Sequence, residues 1–156
     1  MTGSSPTRPG ARPFPWLTPR TLLARVHTRI YRWSGGRVGS RFGSLEQILL
    51  TTVGRRTGQP RTTPLAAIPE GDALVLVASN WGQGHHPAWL HNLVAQPEVV
   101  VQRGPRSQPM QARVADDQER ERLWPLVVRA NPGFEDYART AGRTIPVVIC
   151  EPAPAG

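Results

Sequence analysis

Apolar residues are concentrated after Leu45, where short runs rich in β-branched residues alternate with glycine and proline. Runs of this length are typical of strands, and the residues between them favour turns. The predicted strands are residues 48–53, 62–68, 73–79, 99–101, 110–115 and 145–150. The turn at Gly104-Pro105 predicts that the fourth and fifth strands pair as a hairpin. Pro146 lies near the start of the last strand, where proline is tolerated.

Helical periodicity is clearest over residues 21–33, where apolar side chains share one face of a helical wheel and arginines lie beside it. That apolar face consists of Leu22, Leu23, Val26, Ile30 and Trp33. A second helix is predicted to open at Pro87, because proline fits the first helical position. A third begins at residues 116–119, which have capping-box spacing, and Pro125 must kink it or begin a new helix. A short helical piece follows over residues 134–139.

The order of the elements is helix, three strands, helix, two strands, helices and strand. Regular crossover helices do not separate these strands, which disfavours a doubly wound parallel sheet. The pattern therefore predicts an α+β chain that is mainly β, built as a mostly antiparallel, partly open barrel with flanking helices. We expect a disordered or extended leader rich in proline and arginine over residues 1–19, an amphipathic helix over 20–34 and the barrel domain over 45–152.

Charge narrows the set of partners. All 19 basic residues are arginine, and the formal net charge is +8. This balance favours anionic partners: phosphates, poly-carboxylates, nucleic acid or an acidic membrane surface. The lack of lysine excludes a Walker-type phosphate loop and a Schiff-base mechanism, because both need an amine. The single cysteine, Cys150, lies in an apolar run and is expected to be a buried strand thiol.

The first residues contain no apolar signal-peptide core, and no apolar run approaches the roughly 20 residues that span a bilayer. The sequence therefore predicts a cytoplasmic protein. The basic amphipathic helix over 20–34 has two interpretations. It covers an edge of the core with its arginines in solvent, or it lies in an anionic membrane interface. The second would make the protein peripheral at the inner face of the cell membrane.

Residues 54–61, Gly-Arg-Arg-Thr-Gly-Gln-Pro-Arg, bring three arginines and a hydroxyl into one loop between strands. Guanidinium groups bind phosphate or carboxylate bidentately, and glycine lets the backbone approach such oxygens. The loop is therefore a candidate anion-binding site. Its alternative is a solvated basic turn.

Residues 79–92 run from a strand end through a glycine-bearing loop into a helix N-terminus. Main-chain donors on one side and an indole on the other suit a planar, partly anionic ligand. The spacing of His85, His86 and His91 is not typical of metal ligands, and we predict no metal site. No nucleophile and base stand out as a pair either. A site of this kind fits chemistry that a bound cofactor performs.

Three segments follow one another in the chain: residues 49–61 with Pro64-Leu65, His86-Pro87-Ala88-Trp89 with Asn92-Leu93 and residues 97–99, and residues 145–148 with Glu151-Pro152. In this order they resemble the deazaflavin (coenzyme F420)-dependent nitroreductase and F420H2-dependent quinone reductase family. The similarity runs from about Thr21 to Pro152. It implies a split β-barrel of the FMN-binding type, with reduced coenzyme F420, an 8-hydroxy-5-deazaflavin, as the hydride donor.

The resemblance also implies where the cofactor binds. The residues that would hold its phosphate and oligoglutamate tail are Arg55, Arg56, Thr57, Gly58 and Arg61. Those that would run along it or border the deazaflavin ring are Thr62, Thr63, Pro64, Leu65, Ala66, Val77, Ala78, Ser79 and Asn80. Those that would close over it from the helix are Ala88, Trp89, Leu90, His91 and Asn92, with Phe134 near the acceptor side.

The chain departs from the family pattern around the acceptor. Family members that reduce nitro compounds carry tyrosines where this chain has Ala66, Leu90, Asn131 and Phe134, and a lysine where it has Asn80. The acceptor side is therefore expected to be roomier and more apolar. The lost hydroxyls leave Ser79, Tyr137 or water to protonate the product.

The resemblance implies transfer of a hydride to a small organic acceptor such as a quinone, an enone or a nitroaromatic. A menaquinone-like acceptor would give the helix over 20–34 a reason to contact a membrane. Two alternatives stay open: a reductase of the same barrel that binds FMN, and a basic nucleic-acid-binding module without chemistry. The second is disfavoured because aromatic residues are not interleaved on a stacking platform. The sequence carries no prediction of oligomeric state.

Overall fold

The fold is taken from a computed structural model, which describes residues 41–42 and 45–154. Its elements are β1 Arg41–Phe42, β2 Leu45–Val53, β3 Pro60–Glu70, β4 Ala73–Val77, α1 Ala88–Ala95, β5 Glu98–Arg103, β6 Arg106–Val114, α2 Asp117–Ala130, α3 Gly133–Ala141 and β7 Val147–Pro152, with a 3-10 turn at Asn80–Gly82. The predicted leader over 1–19 and the helix over 20–34 lie outside the described residues. None of the described helices is long and apolar enough to cross a membrane.

The strands form one antiparallel sheet in the order β1-β2-β3-β4-β7-β6-β5. β5 then pairs with β2, so that β2 to β7 close into a barrel. The closing pairs are Leu49 with Gln102, Leu50 with Val101 and Thr51 with Val100. The prediction of a mainly β, antiparallel barrel with flanking helices is confirmed. The expectation that it would be partly open is wrong, because the sequence alone gave no sign that β2 and β5 meet.

Two groups of apolar side chains hold the barrel and its helices together. The inner cluster fills the barrel and contains Ile48, Leu50, Ala67, Leu74, Leu76, Ala78, Trp89, Leu90, Leu93, Val99, Val101, Met110, Ala112, Val148 and Cys150. The outer cluster packs α2 and α3 onto the barrel wall and contains Ile68, Val75, Leu123, Val127, Phe134, Val147 and Ile149. Adjacent residues such as Val148 and Ile149 enter different clusters because successive strand side chains point to opposite faces. Each fully buried aliphatic side chain contributes about 1.5–3 kcal/mol.

The element bounds differ from the prediction mainly where polar residues or prolines occur. β2 and β3 form a long hairpin paired from Glu46 with Ala67 to Val53 with Pro60. β2 begins three residues earlier than predicted and ends at Val53 as predicted, and β3 is two residues longer at each end. β4 ends at Val77 because Ser79 turns the chain into the 3-10 turn with φ −73° and ψ −29°.

Two predicted strand and helix starts are also corrected. β7 begins at Val147 rather than at residue 145, since Pro146 has no N–H to donate to a sheet. Pro87 precedes the first turn of α1 as its N-cap, with φ −68° and ψ 151°, instead of occupying the first helical position.

In α2 the predicted capping box is confirmed. The Asp116 carboxylate accepts from the Glu119 N–H at 2.8 Å, and the Glu119 carboxylate accepts from the Asp116 N–H at 3.0 Å. No new helix begins at Pro125, because α2 continues through it to Ala130. Pro125 is exposed, so water can satisfy the carbonyl that loses its helical partner. The expected burial of Cys150 is also confirmed.

Candidate functional site

The basic loop, residues 54–61, comprises the tight turn that connects β2 to β3 and the first two residues of β3, Pro60 and Arg61. The Gly58 N–H donates to the Gly54 carbonyl at 2.7 Å, and the Gly54 N–H donates to the Gln59 carbonyl at 2.8 Å. A Cβ at Gly54 would lie 2.6 Å from Thr57 Oγ1 and 3.2 Å from the Gln59 carbonyl oxygen, so glycine fits this tight turn better than a residue with a side chain. The N–H groups of residues 56 and 57 donate to no acceptor in the described part of the chain. Such free donors suit an anion.

Asn92 of α1 joins the basic loop to the barrel. Its Oδ1 accepts from the Arg55 N–H at 3.1 Å, and its Nδ2 donates to Thr52 Oγ1 at 3.1 Å. Asn92 is 7% exposed and Thr52 is 0% exposed, so water competes little with these bonds. Two residues predicted for the same site, Arg55 and Asn92, are therefore in direct contact although 37 positions separate them.

The three arginines of the basic loop carry unpaired charges. Arg55, Arg56 and Arg61 are exposed, and their side chains form no ion pair or hydrogen bond with any residue that the structure describes. Arg103 shows the contrast, because it donates two bonds to the Glu46 carboxylate at 2.9 and 2.6 Å. Three guanidinium groups within seven positions and without a carboxylate partner favour an anionic ligand from outside the described chain.

The predicted cofactor residues of β3 alternate between its two faces. Leu65 packs against the inner cluster, whereas Thr62 and Pro64 are exposed. By strand alternation Ala66 shares a face with Thr62 and Pro64, and Thr63 shares a face with Leu65. A ligand lying along one face of β3 can therefore contact the side chains of alternate residues, not of all five.

The 3-10 turn after β4 has an unusual backbone. Asn80 and Trp81 have φ values of 47° and 58°, a region that non-glycine residues rarely adopt. Gly82 packs against α3 so closely that a Cβ there would lie 2.6 Å from Thr140 Oγ1 and 3.3 Å from the Tyr137 Cα. Asn80 Nδ2 donates within the turn region, to Gln83 Oε1 and to a backbone carbonyl, both at 3.2 Å. The turn is thus held by the packing of Gly82 against α3 and by the hydrogen bonds of Asn80.

Arg143, which follows α3, binds four acceptors around this turn. Its Nη2 donates to the carbonyls of Ala78 at 3.2 Å and Ser79 at 3.1 Å, and its Nε donates to the Gln83 carbonyl at 3.1 Å. Its Nη1 lies 2.9 Å from His86 Nδ1. Since a guanidinium only donates, that nitrogen of His86 is the acceptor, which leaves the proton of the neutral ring on Nε2. One side chain therefore ties the end of β4 to the start of α1.

The environment of His86 favours its neutral form. Burial lowers the pKa of His86 from its ordinary value of 6.5, and the charges of Arg143 and His91 lower it further. The rings of His86 and His91 lie 5.9 Å apart. Burial also lowers the pKa of Arg143. A neutral His86 keeps the lone pair that Arg143 needs.

The predicted residues of α1 separate into two groups. Trp89 and Leu90 are 6% and 4% exposed and belong to the inner cluster, so they act as core. Ala88 is exposed and His91 is half-buried, so these two remain on the surface of α1.

The remaining predicted residues lie around the 3-10 turn and α3. Ser79 is 9% exposed, and its hydroxyl forms no hydrogen bond with the described residues. Phe134, 8% exposed, belongs to the outer cluster, and the half-buried Tyr137 packs beside it with ring centroids 6.1 Å apart. The ring of Tyr137 is also 6.4 Å from that of Trp81. The two predicted proton donors, Ser79 and Tyr137, therefore flank the same turn.

The end of β4 supplies the other two residues predicted there. Ala78 is fully buried in the inner cluster, and Val77 packs partly buried against the outer cluster. The sequence did not single out Arg143 or Trp81. The contacts of Arg143 cross 57 to 65 positions, and its neighbours carry no motif, so no local signal could identify it.

These observations fit a cofactor with an anionic tail and a planar ring. The basic loop offers unpaired guanidinium groups and free N–H donors, and α1 joins it to the barrel end that carries the 3-10 turn. Among the described residues, no three histidine, cysteine, aspartate or glutamate side chains are grouped so that they could hold a metal ion.

Relatives of known description share most of the chain. The F420H2-dependent quinone reductase Rv1261c of Mycobacterium tuberculosis is 40% identical over 131 residues, 81% of this chain and 88% of the relative. A second relative from that organism, named for the same activity and designated Rv3178, is 36% identical over 105 residues, 67% of this chain and 88% of its own.

Two solved structures are also similar to this chain. An F420-H2 dependent reductase, FDR-A, is 39% identical with a TM-score of 0.62, over 67% of this chain and 93% of that one. A structure described as a domain-swapped dimer is 32% identical with a TM-score of 0.63, over 86% of this chain and all of that one. These matches support the split-barrel fold and give no support to the FMN or nucleic-acid alternatives. The family model for F420H(2)-dependent quinone reductase matches residues 23–152. The chain belongs to this family and is an oxidoreductase that uses coenzyme F420.

Proposed function

We propose that the chain passes the hydride of reduced coenzyme F420 to a quinone, with enones and nitroaromatics as further acceptors of the same kind. The observation that carries the proposal is the unpaired cationic loop, which Asn92 fixes beside α1. An F420-dependent enzyme has to hold an anionic tail at a fixed distance from its reaction site. The relatives named for quinone reduction support the choice of acceptor.

Arg55, Arg56 and Arg61 would hold the phosphate and carboxylate groups of the cofactor, together with the hydroxyl of Thr57 and the backbone at Gly58. Exposed guanidinium groups lose less hydration on binding than buried ones, and each can form two parallel bonds to one oxyanion. The exposed face of β3 with Thr62 and Pro64 continues from this loop.

The ring would lie between the end of β4 and α1, over residues 77–80 and 88–92. Of these, Asn80, Ala88 and His91 have accessible side chains, whereas Ala78, Trp89 and Leu90 are buried in the inner cluster beneath them. When bound, the cofactor supplies a hydride. The protein contributes proximity and orientation, which can account for a large part of a rate enhancement. Ser79 and Tyr137 would give the reduced acceptor its proton; in support, Ser79 is the N-cap of the 3-10 turn and the ring of Tyr137 packs against Trp81 of that turn.

The test is a fluorescence titration with oxidised F420 for three proteins: wild type, Arg55→Ala/Arg56→Ala and the matched control Arg106→Ala/Arg129→Ala. The control removes the same charge from exposed arginines that have no partner among the described residues. Each loop arginine should contribute roughly tenfold to affinity, a value at the low end for charged hydrogen bonds because both groups are exposed. The control should bind within about threefold of wild type.

Absence of saturable binding by well-folded wild-type protein would refute the cofactor site. Equal losses in the loop variant and the control would show that net charge, rather than the loop, attracts the cofactor. Turnover is then followed as the loss of reduced F420 on addition of menadione.

We further propose that the protein is cytoplasmic, with a leader over 1–19, and that its helix over 20–34 contacts the anionic inner face of the membrane. The basic amphipathic pattern of that helix and the apolar nature of a menaquinone-like acceptor support this. Sedimentation with vesicles containing anionic lipid should retain the full chain more than a variant lacking residues 20–34. Equal sedimentation of the two proteins would overturn the idea.

A further inference from the structure

Trp81 stands out among the described residues because a large apolar side chain is left in solvent. It is 80% exposed, the most exposed of the large hydrophobic residues described. Its backbone has φ 58°, which is unfavourable for a bulky residue. An exposed and strained tryptophan contributes little to stability, so folding alone does not explain its position. Strained residues of this kind cluster at functional sites.

The surrounding structure enforces the position of Trp81. On one side Arg143 binds the carbonyls of Ala78 and Ser79, and on the other it binds that of Gln83. The next residue, Gly82, packs against α3 with no room for a Cβ. The backbone on both sides of Trp81 is thus held, and the indole is directed outward by contacts that do not involve it.

Aromatic rings adjoin the exposed indole on one side. Tyr137 meets it edge to face, with centroids 6.4 Å apart and planes at 84°, and Phe134 packs behind Tyr137 in the same manner at 6.1 Å and 71°. Ser79 lies two positions before Trp81. The indole therefore adjoins Tyr137, one of the proposed proton donors, and a short backbone segment links it to Ser79, the other, while most of its surface is free.

We propose that Trp81 binds the acceptor, stacking on the planar ring of a quinone and presenting it beside Ser79 and Tyr137. Planar π-systems stack on indole in an offset or edge-to-face manner, and such contacts accept many rings of similar size. Trp81 is then a specificity-determining residue for planar aromatic acceptors. This inference rests on the proposed function, since it assigns the acceptor side of the same site.

The test compares Trp81→Gly with Trp81→Phe, using reduced F420 and menadione. Glycine adopts φ 58° without strain, so Trp81→Gly should fold at least as stably as wild type. Its KM for menadione should rise about tenfold, in the range for loss of one aromatic stacking contact, while kcat and the Kd for F420 change less than twofold. Trp81→Phe should keep KM within about threefold. Val114→Ala, which trims an exposed apolar residue of β6, is the control and should leave all three quantities unchanged.

Direct binding separates this inference from the proposed function. Saturable menadione quenching of tryptophan emission should be present in wild type and largely lost in Trp81→Phe, which removes that fluorophore. Loss of quenching in Trp81→Phe supports the stacking site even if the wild type shows no turnover with any quinone. Absence of turnover would refute only the proposed function. Turnover with an unchanged KM in Trp81→Gly would overturn the inference and leave the function standing.

Two further outcomes would also overturn it. A Kd for F420 weakened tenfold or more in Trp81→Gly would assign the indole to the cofactor. Reduced binding to anionic vesicles with an unchanged KM would assign it to a membrane contact.

Discussion

Replacing Arg143 by methionine removes the guanidinium that binds four acceptors and keeps most of the aliphatic stem. The distances to the carbonyls of Ala78, Ser79 and Gln83 and to His86 Nδ1 lie between 2.9 and 3.2 Å. Loss of these bonds should free the 3-10 turn from the start of α1. We expect Arg143→Met to lower both the stability of the fold and the affinity for F420, because residues 78 and 79 border the proposed ring site.

The size of the stability loss follows from the number and exposure of these bonds. A hydrogen bond from a charged donor contributes about 1.5–3 kcal/mol, which would give about 6 kcal/mol or more for four bonds if they added. They share one side chain, and Arg143 is half-buried, so water can reach several of the released carbonyls. About 2–3 kcal/mol of unfolding free energy is therefore expected, equivalent to roughly 5–10 °C in Tm for a chain of this size.

Denaturant unfolding of Arg143→Met, Arg143→Lys and Arg106→Met measures this loss. Arg106→Met removes the same charge from an exposed arginine without a described partner and should change stability by less than about 0.5 kcal/mol. Arg143→Lys should recover part of the loss, since an ammonium cannot reproduce the guanidinium fork. Equal unfolding free energies for Arg143→Met and Arg106→Met would refute the role assigned to Arg143.

Three further predictions concern Asn92, His86 and Cys150. Asn92→Leu should lower the free energy of unfolding in denaturant by about 2–3 kcal/mol, because it leaves the buried Thr52 hydroxyl without its hydrogen-bond partner. A variant as stable as wild type would contradict the role of Asn92 in joining the basic loop to the barrel. The pKa of His86 is lower in the folded protein than in the unfolded chain, so the unfolded chain takes up a proton on His86 at higher pH. The stability that neutral His86 contributes is therefore present above pH 6.5 and is lost as pH falls toward the folded pKa. The free energy of unfolding of wild type, and of the control His85→Gln at the exposed neighbouring histidine, should fall between pH 7.5 and 5. That of His86→Gln should fall less, and identical pH profiles for the three proteins would contradict the prediction. Burial raises the pKa of Cys150 to about 12, so a thiol reagent at pH 8 should label it only after denaturation, and rapid labelling of native protein would show that the inner cluster is accessible.

The sequence predicted the features of this fold that depend on local pattern. Six apolar runs gave six strands, and the spacing of Asp116 and Glu119 gave a capping box that the structure confirms. Strand ends were less well predicted, because β2 and β3 extend through Glu46 and Pro60, whose residue types do not favour strands. There the pairing of two long neighbours outweighs local preference.

Features that depend on distant contacts were not predictable in this way. Closure of the barrel joins Leu50 to Val101, and the site depends on Arg143, whose acceptors lie about 60 positions earlier. The conformation of Trp81 was equally hidden, since nothing in its own residue type favours φ 58°. The family resemblance identified the cofactor. The contacts within the chain then showed how Asn92 and Arg143 hold the segments that would bind it.

The position of β7 has a consequence for biosynthesis. It lies between β4 and β6 in the middle of the sheet, not at an edge, and it sends Val148 and Cys150 inward and Val147 and Ile149 outward. In a nascent chain that has emerged only as far as Pro146, the facing edges of β4 and β6 have unpaired backbone groups, and both apolar clusters lack the side chains of β7. Such edges invite pairing with other chains. The barrel can therefore close only after residue 152 has left the ribosome, and folding of this domain should be completed after synthesis of β7 rather than strand by strand.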